Sequence, residues 1–142
     1  MVGSPWQTMA NLLEDLAFIR ELQPQMIGIG PFIPHHATPF KNYPAGTLEQ
    51  TLTLLSVLRL MFPKVLLPAT TALGTIVPNG RELGILAGAN VVMPNLSPAD
   101  VRQNYLLYDN KLCSGAEAAE AKNDLAARLH SIGYEIAEGR GD

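Results

Sequence analysis

The sequence has a single cysteine, Cys113, which excludes an intrachain disulfide and any metal site built from cysteines alone. Charged residues make up only 16% of the 142 positions and the net charge is −3, without basic runs that would attract nucleic acid or an anionic membrane. No apolar run reaches the roughly 20 residues that cross a bilayer, and the first residues do not read as a signal peptide. We therefore expect a cytoplasmic protein with no nucleic-acid or membrane partner.

What the sequence does contain is an apolar fraction of 47%, enough for a buried core, and an alternation of helix and strand signals. Amphipathic helices are predicted from Thr8 to Leu22, from the capping box at Thr47 to about Phe62, from Asn79 to Gly88, from Ser97 to Tyr108, and from Ser114 to Gly133. Short apolar runs that end in proline lie between them, at residues 26–30, 65–67 and 90–93. This alternation predicts a parallel α/β fold.

Strands this short, each stopped by proline, are typical of barrel staves rather than of a long open sheet. A complete eight-stranded barrel needs about 250 residues. The predicted fold is therefore a partial (β/α)₈ TIM-type barrel of three parallel strands, or four if residues 1–3 end another, with outer helices and a C-terminal helix. We expect one domain over residues 1–142, with βα units to residue 112 and the last helix and tail over 113–142.

Function in such a fold collects in the loops that follow the strands, here residues 30–36, 68–75 and 94–97. Thr70, Thr71 and Thr75 place three hydroxyls at one strand end, where they could hold a carboxylate or another small anion. The residues alone favour the simpler alternative, in which these hydroxyls satisfy the backbone of a tight turn. Pro31 and Phe32 could present a flat edge to an adenine ring, or Phe32 could belong to the core.

The adjacent residues His35 and His36 are expected to point to opposite sides of an extended loop. They should then be unable to chelate one metal ion, and we expect no metal site. One of them could act as a general acid or base, or could cap the loop. Tyr105 and Tyr108 share one face of the predicted fourth helix, with core packing the safer prediction for Tyr108.

Three motifs, taken in order, resemble one family: Met26 to His35 (MIGIGPFIPH), Pro68 to Thr75 (PATTALGT) and Asn90 to Asn95 (NVVMPN). They are similar to the HydE maturases of iron-iron hydrogenase, which are radical S-adenosylmethionine enzymes with a C-terminal region associated with biotin and thiamin synthesis. A less close resemblance is to methylornithine synthase. The resemblance implies a four-iron four-sulfur cluster that cleaves S-adenosylmethionine and a radical aimed at a small anionic or organometallic substrate. It implies that Gly30, Pro31, Phe32 and Ile33 border the adenosine, and that Thr70, Thr71, Thr75, Met93 and Tyr105 line the substrate cavity.

The sequence departs from this family in one decisive respect, because the CxxxCxxC motif that holds the catalytic cluster is missing. We therefore expect no cofactor on this chain alone, no catalytic residue in it and no activity without an N-terminal half. The leading hypothesis is the C-terminal, substrate-cavity half of a HydE-like enzyme. The alternatives are a half-barrel that stands alone or forms a homo-oligomer through open strand edges and binds a small anion, or a related radical enzyme such as a methylornithine synthase-like mutase.

Overall fold

A computed structural model describes residues 1–94, 98, 100, 101, 104, 107–110 and 118–137 of the chain. The elements run in the order α1 (Met9–Leu22), α2 (Leu48–Met61), β1 (Pro68–Ala69), α3 (Thr71–Ile76), α4 (Gly80–Leu86), β2 (Val91–Val92) and α5 (Ala118–His130). The chain divides into two compact units, residues 1–93 with 107–112 and residues 94–106 with 113–142. Within the described residues, no helix has both the length and the apolar character to cross a membrane.

Four extended segments of the first unit pair side by side in chain order, all in parallel. Val2 pairs with Pro31, Met26 pairs with Leu66, and β1 pairs with β2. The hydrogen bonds are regular, since the Val2 N–H donates to Gly30 O at 2.9 Å and the Phe32 N–H donates to Val2 O at 2.8 Å. Parallel pairing with helices between the segments confirms the predicted α/β class, while closure into part of a barrel stays a prediction.

The strand predicted over residues 65–67 does not stop at Pro68, and this expectation was wrong. Pro68 lies within β1, opposite Val91. The strand continues because the preceding carbonyl does the pairing: Leu67 O accepts the N–H groups of Asn90 and Val91 at 2.9 and 3.1 Å. The missing N–H of Pro68 therefore leaves this ladder intact.

The segment after Ala69, expected to be a loop, contains the short helix α3. Its threonine and glycine residues have low helix propensity, so the sequence did not indicate a helix. Tertiary packing stabilises it, since Leu73 is fully buried. A close approach joins α3 to α4: a Cβ on Gly80 would lie 2.0 Å from Leu73 O. Only glycine fits at the start of α4.

Helix α2 supplies much of the core through Thr51, Leu55 and Leu58, which recur at helical spacing and are at most 1% exposed. The Thr47 hydroxyl accepts the Gln50 N–H at 3.2 Å, which is one half of the predicted capping box. After α4, Gly88 adopts φ +116°, which confirms the predicted turn at this glycine.

Helix α1 begins at its predicted cap, where the Thr8 side chain accepts the Asn11 N–H and the Asn11 side chain accepts the Thr8 N–H. No residue of α1 is buried, and Leu13 and Leu22 are 60% and 59% exposed.

The Gln7 side chain lies along the outer edge of the first extended segment. Its Oε1 accepts the Gly3 N–H at 2.7 Å and its Nε2 donates to Met1 O at 3.1 Å. The amide thus occupies the backbone groups that a neighbouring strand would use.

In the second unit, α5 buries Leu125 and Leu129, each 4% exposed, and Gly133 follows at φ +82°. Gly133 marks the predicted end of this helical segment, although α5 itself ends at His130. Half of the helix predicted over residues 97–108 lies outside the described residues, and Tyr108 is described but is not helical, so the expectation was wrong at that end. The single domain over residues 1–142 stays a prediction.

Candidate functional site

The first two of the predicted site loops meet in space. Gly30 lies directly against Thr70, since a Cβ added to Gly30 would come within 2.7 Å of Thr70 Oγ1. Real Cβ atoms do not approach oxygen so closely, so the backbone at Gly30 and the Thr70 side chain share a space that only glycine leaves open. Residues 40 positions apart are thereby brought together at one end of the parallel segments.

The three threonine hydroxyls of the second loop have different surroundings. Thr70 is the N-cap residue of α3, but its Oγ1 is buried and has no hydrogen-bond partner among the described residues. Thr71 Oγ1 lies 2.9 Å from the Tyr108 hydroxyl. Thr75 Oγ1 donates to Thr71 O at 3.1 Å within the helix. Thr70 and Thr71 therefore place their hydroxyls at the strand end, one buried and one bonded to Tyr108, while the Thr75 hydroxyl is bonded to the backbone of α3.

Tyr108 belongs to this site, although the sequence favoured core packing for it. Tyr108 is half-buried. The hydrogen bond between its hydroxyl and that of Thr71 joins residues 107–110 to the strand-end loop. The helical spacing of Tyr105 and Tyr108 was the only signal, and it could not distinguish packing from a polar role. Tyr105 and the loop at residues 95–97 lie outside the described residues, and Met93 is 51% exposed.

The residues predicted to border adenosine are more enclosed than the sequence indicated. Pro31 and Phe32 are buried, and Gly30 and Ile33 are half-buried. Phe32 is 7% exposed, and its ring packs edge-on against Phe40, with 6.2 Å between the ring centroids. This burial favours the core role that was the alternative for Phe32.

His35 and His36 do not point to opposite sides, and this expectation was wrong, while the expectation of no metal site stays a prediction. Their rings stack with centroids 4.3 Å apart. The loop is not extended here, because the Thr38 N–H donates back to His35 O at 3.0 Å and turns the chain. His35 Nδ1 accepts the Ala37 N–H at 3.1 Å, so this residue does cap the loop.

Asp109 completes this histidine pair and was not found from the sequence. His36 Nδ1 donates to Asp109 Oδ1 at 2.7 Å, and the His36 backbone N–H donates to Oδ2 at 2.9 Å. The hydrogen bond from the His36 side chain is the largest cause that holds the pKa of Asp109 below its ordinary value, and the His36 backbone N–H adds to it. The two partners are 73 residues apart, so no local pattern could have indicated the contact.

No protein-family model matches the chain, but individual relatives do. It is 50% identical to the iron-iron (FeFe) hydrogenase maturase subunit HydE of Thermotoga maritima over 113 residues, which are 80% of this chain and 32% of that protein. It is also similar to two 3-methylornithine synthases. The identity is 37% over 63% of this chain for the Methanosarcina barkeri protein, and 28% over 89% of this chain for the Methanosarcina acetivorans protein.

The chain spans only a quarter to about a third of the length of these curated relatives, 25% to 35%. The aligned relatives are those that the three loop motifs indicated, and the likeness extends over most of this chain. The chain is therefore HydE-like over most of its length and corresponds to about a third of the Thermotoga maritima protein.

Proposed function

We propose that this chain is the C-terminal, substrate-cavity half of a radical S-adenosylmethionine enzyme of the HydE type. An N-terminal half would supply the four-iron four-sulfur cluster and most of the S-adenosylmethionine site. The observation that carries the proposal is the approach of Gly30 to Thr70, because it brings together two of the three motifs that resemble the family. The 50% identity to the Thermotoga maritima maturase over 80% of the chain supports it.

The residues of this chain do not fit the cluster itself. Iron-sulfur clusters are held by several cysteine thiolates, and Cys113 is the single cysteine of the sequence. No radical-forming step is therefore assigned to this chain. Its proposed part is to bind and orient the substrate and to exclude water around it.

Hydroxyl groups are the proposed substrate-binding groups. Thr71 and Tyr108 form a hydroxyl pair that can donate a hydrogen bond to an anionic oxygen, because either hydroxyl can turn its hydrogen outward. Thr70 Oγ1 is closed to solvent and without a described partner, so a ligand oxygen that reaches it relieves an unsatisfied buried group. We propose a small carboxylate or an organometallic anion as the ligand.

The remaining predicted residues would shape the cavity. Met93 and Tyr105 would contribute an apolar and an aromatic wall, and Gly30 and Ile33 would border the adenosine, with Pro31 and Phe32 packed behind them. A methylornithine synthase-like activity would use the same hydroxyls for an amino-acid carboxylate. The proposal places the enzyme in the cytoplasm.

Complementation tests the half-enzyme proposal. The cluster-bearing N-terminal half of a HydE protein is reconstituted anaerobically and mixed with this chain, and deoxyadenosine is measured. We expect more deoxyadenosine from the mixture than from either part alone. An intact four-iron cluster on this chain by itself, or no gain on mixing, would contradict the proposal.

A double substitution tests the anion site. Titration with small carboxylates is compared between the parent chain and the variant Thr70→Val plus Thr71→Val. Valine keeps the shape of threonine and removes the hydroxyl, so we expect the affinity to fall at least tenfold, as two lost hydrogen bonds to a charged group imply. The matched control is Thr53→Val, an exposed position on α2. Equal affinity in all three proteins would remove these threonines from the site.

One observation favours a second candidate, a half-barrel that associates with a copy of itself. Helix α1 buries no residue, and Phe18 and Leu22, four positions apart and so on one face, expose about three fifths of their surfaces, 62% and 59%. Such an apolar face gains free energy when a partner covers it. Sedimentation of the isolated chain decides this point, and a monomer at high concentration would argue against self-association.

A further inference from the structure

His35, His36 and Asp109 form a compact cluster of metal-binding groups. One ligand atom from each residue lies within 4.8 Å of the others. Asp109 Oδ1 is 2.7 Å from His36 Nδ1 and 4.0 Å from His35 Nε2, so it lies between two imidazole nitrogens. We propose that these three side chains bind a divalent transition-metal ion, with zinc as the best fit, independently of the proposed enzyme function.

The donor set selects the class of ion. Imidazole nitrogen suits zinc, copper, nickel and ferrous iron, whereas magnesium and calcium prefer oxygen ligands throughout. Two nitrogens and one carboxylate oxygen, with the fourth position open to water, is a common zinc arrangement. The three side chains are accessible from solvent, with 21%, 77% and 39% of their surfaces exposed in the order His35, His36, Asp109.

Zinc requires movements of up to about 1.5 Å, since the three ligand atoms lie within 4.8 Å of one another. Ligand atoms at about 2.0 to 2.1 Å from a tetrahedral zinc lie about 3.3 Å from one another. The contact between His36 and Asp109, now 2.7 Å, must widen by roughly 0.6 Å, and the 4.0 Å separation between His35 and Asp109 must shorten by about as much. One ring of the stacked pair must also turn to aim its lone pair at the ion.

The carboxylate is already oriented for this role. Asp109 Oδ2 accepts the His36 backbone N–H at 2.9 Å, and the Asp109 backbone N–H donates to Pro34 O at 3.2 Å. With Oδ2 engaged, Oδ1 is the oxygen presented to the two rings. Such supporting bonds fix the direction of a ligand before the metal arrives.

Two existing hydrogen bonds compete with the metal and limit its affinity. Zinc must replace the proton that His36 Nδ1 shares with Asp109. Binding through His35 Nε2 moves the ring proton to Nδ1, which then loses the Ala37 N–H that it now accepts. The site is therefore an exchangeable one rather than a site on which folding depends.

Occupancy would tie residues 107–110 to the loop that follows Gly30. Tyr108 precedes Asp109 and bonds to Thr71, so a bound ion would hold its hydroxyl at the strand end. We expect zinc to slow the hydrogen exchange of the backbone amides of residues 107–110.

Zinc titration against a competing chromophoric chelator tests the proposal. All proteins carry Cys113→Ser, so that the lone thiol cannot supply the binding. We expect one zinc per chain, and at least a tenfold loss of affinity in His36→Gln and in Asp109→Asn, both at accessible positions where folding should survive. The matched control is His130→Gln, which removes the third histidine of the sequence, at the end of α5.

Two further measurements distinguish this site from nonspecific binding. Cobalt in place of zinc should give the visible bands of a four- or five-coordinate ion, and these should vanish in His36→Gln. Excess magnesium should not displace the ion. The proposal is overturned if the variants bind zinc as the parent does, if His130→Gln abolishes binding, or if magnesium competes as strongly as zinc.

Discussion

The close approach of Gly30 to Thr70 predicts a large and specific effect of adding one methyl group. In Gly30→Ala the new Cβ would meet Thr70 Oγ1 at 2.7 Å, about 0.7 Å inside ordinary contact, so the side chain or the strand must shift. Overpacking of this kind costs about 1 to 3 kcal/mol. Alanine also lowers the conformational entropy of the unfolded chain, which stabilises the folded state by about 0.4 to 1 kcal/mol. We therefore expect the free energy of unfolding to fall by about 0.5 to 2 kcal/mol.

Gly28 provides the matched control, because nothing lies within 4 Å of a Cβ added there. Gly28→Ala should be neutral or stabilising by up to about 1 kcal/mol, which separates the two variants by about 1 to 3 kcal/mol. Urea unfolding measures this. With a slope of about 1 to 3 kcal/mol per molar, the two midpoints should differ by about 1 M while the slope stays constant.

A double-mutant cycle assigns the loss to Thr70. If Thr70→Ala removes the obstructing atom, Gly30→Ala should cost less in that background, with a coupling energy of about 1 to 2 kcal/mol. Additive effects, or equal midpoints for Gly28→Ala and Gly30→Ala, would mean that the two loops do not meet as described. The proposed substrate site, which depends on the contact between these two loops, would then be contradicted.

Further predictions concern the core, the hydroxyl pair and the acidic group. Leu67→Ala should lower the free energy of unfolding by about 2 to 5 kcal/mol in urea titration, because the side chain is fully buried between the paired segments. Tyr108→Phe should cost about 0.5 to 1.5 kcal/mol in the same assay through loss of its bond to Thr71, and an unchanged midpoint would count against that bond. The His36 hydrogen bond lowers the pKa of Asp109, so its stabilisation is present above the ordinary value of 3.8 and is lost as the pH falls through the lowered one. The stability difference between the parent and Asp109→Asn should therefore disappear in acid, and a difference that grows on acidification would refute this assignment.

Features that depend on a few neighbouring residues could be predicted from the sequence. Thr8 and Thr47 cap the helices that they were expected to cap, because a hydroxyl reaches only the free N–H groups of the next turn. Gly88 takes the positive φ that its position after a helix indicated. The order of helices and strands, and hence the α/β class, follows from such local signals.

Features set by distant contacts could not be predicted. Helix α3 has too few residues for a periodic pattern, and its Leu73 is fully buried and lies against Gly84 of α4. The pairing of His36 with Asp109 joins residues 73 positions apart, which no local pattern encodes. The assumption of an extended loop led to the wrong prediction that His35 and His36 point to opposite sides. Within the candidate site, Thr70 and Thr71 were predicted from the sequence, but Tyr108 was assigned to packing and Asp109 was not considered.

The amide of Gln7 has a consequence for how a larger protein could be assembled from this chain. A new strand can join beside Gly3 only after the side chain swings away, and it then restores the two hydrogen bonds that were given up. The exchange is nearly neutral in free energy, so backbone pairing alone would not drive it. A partner would have to gain its affinity by covering the apolar surface of α1, whereas a polar strand that only pairs with the backbone would bind weakly.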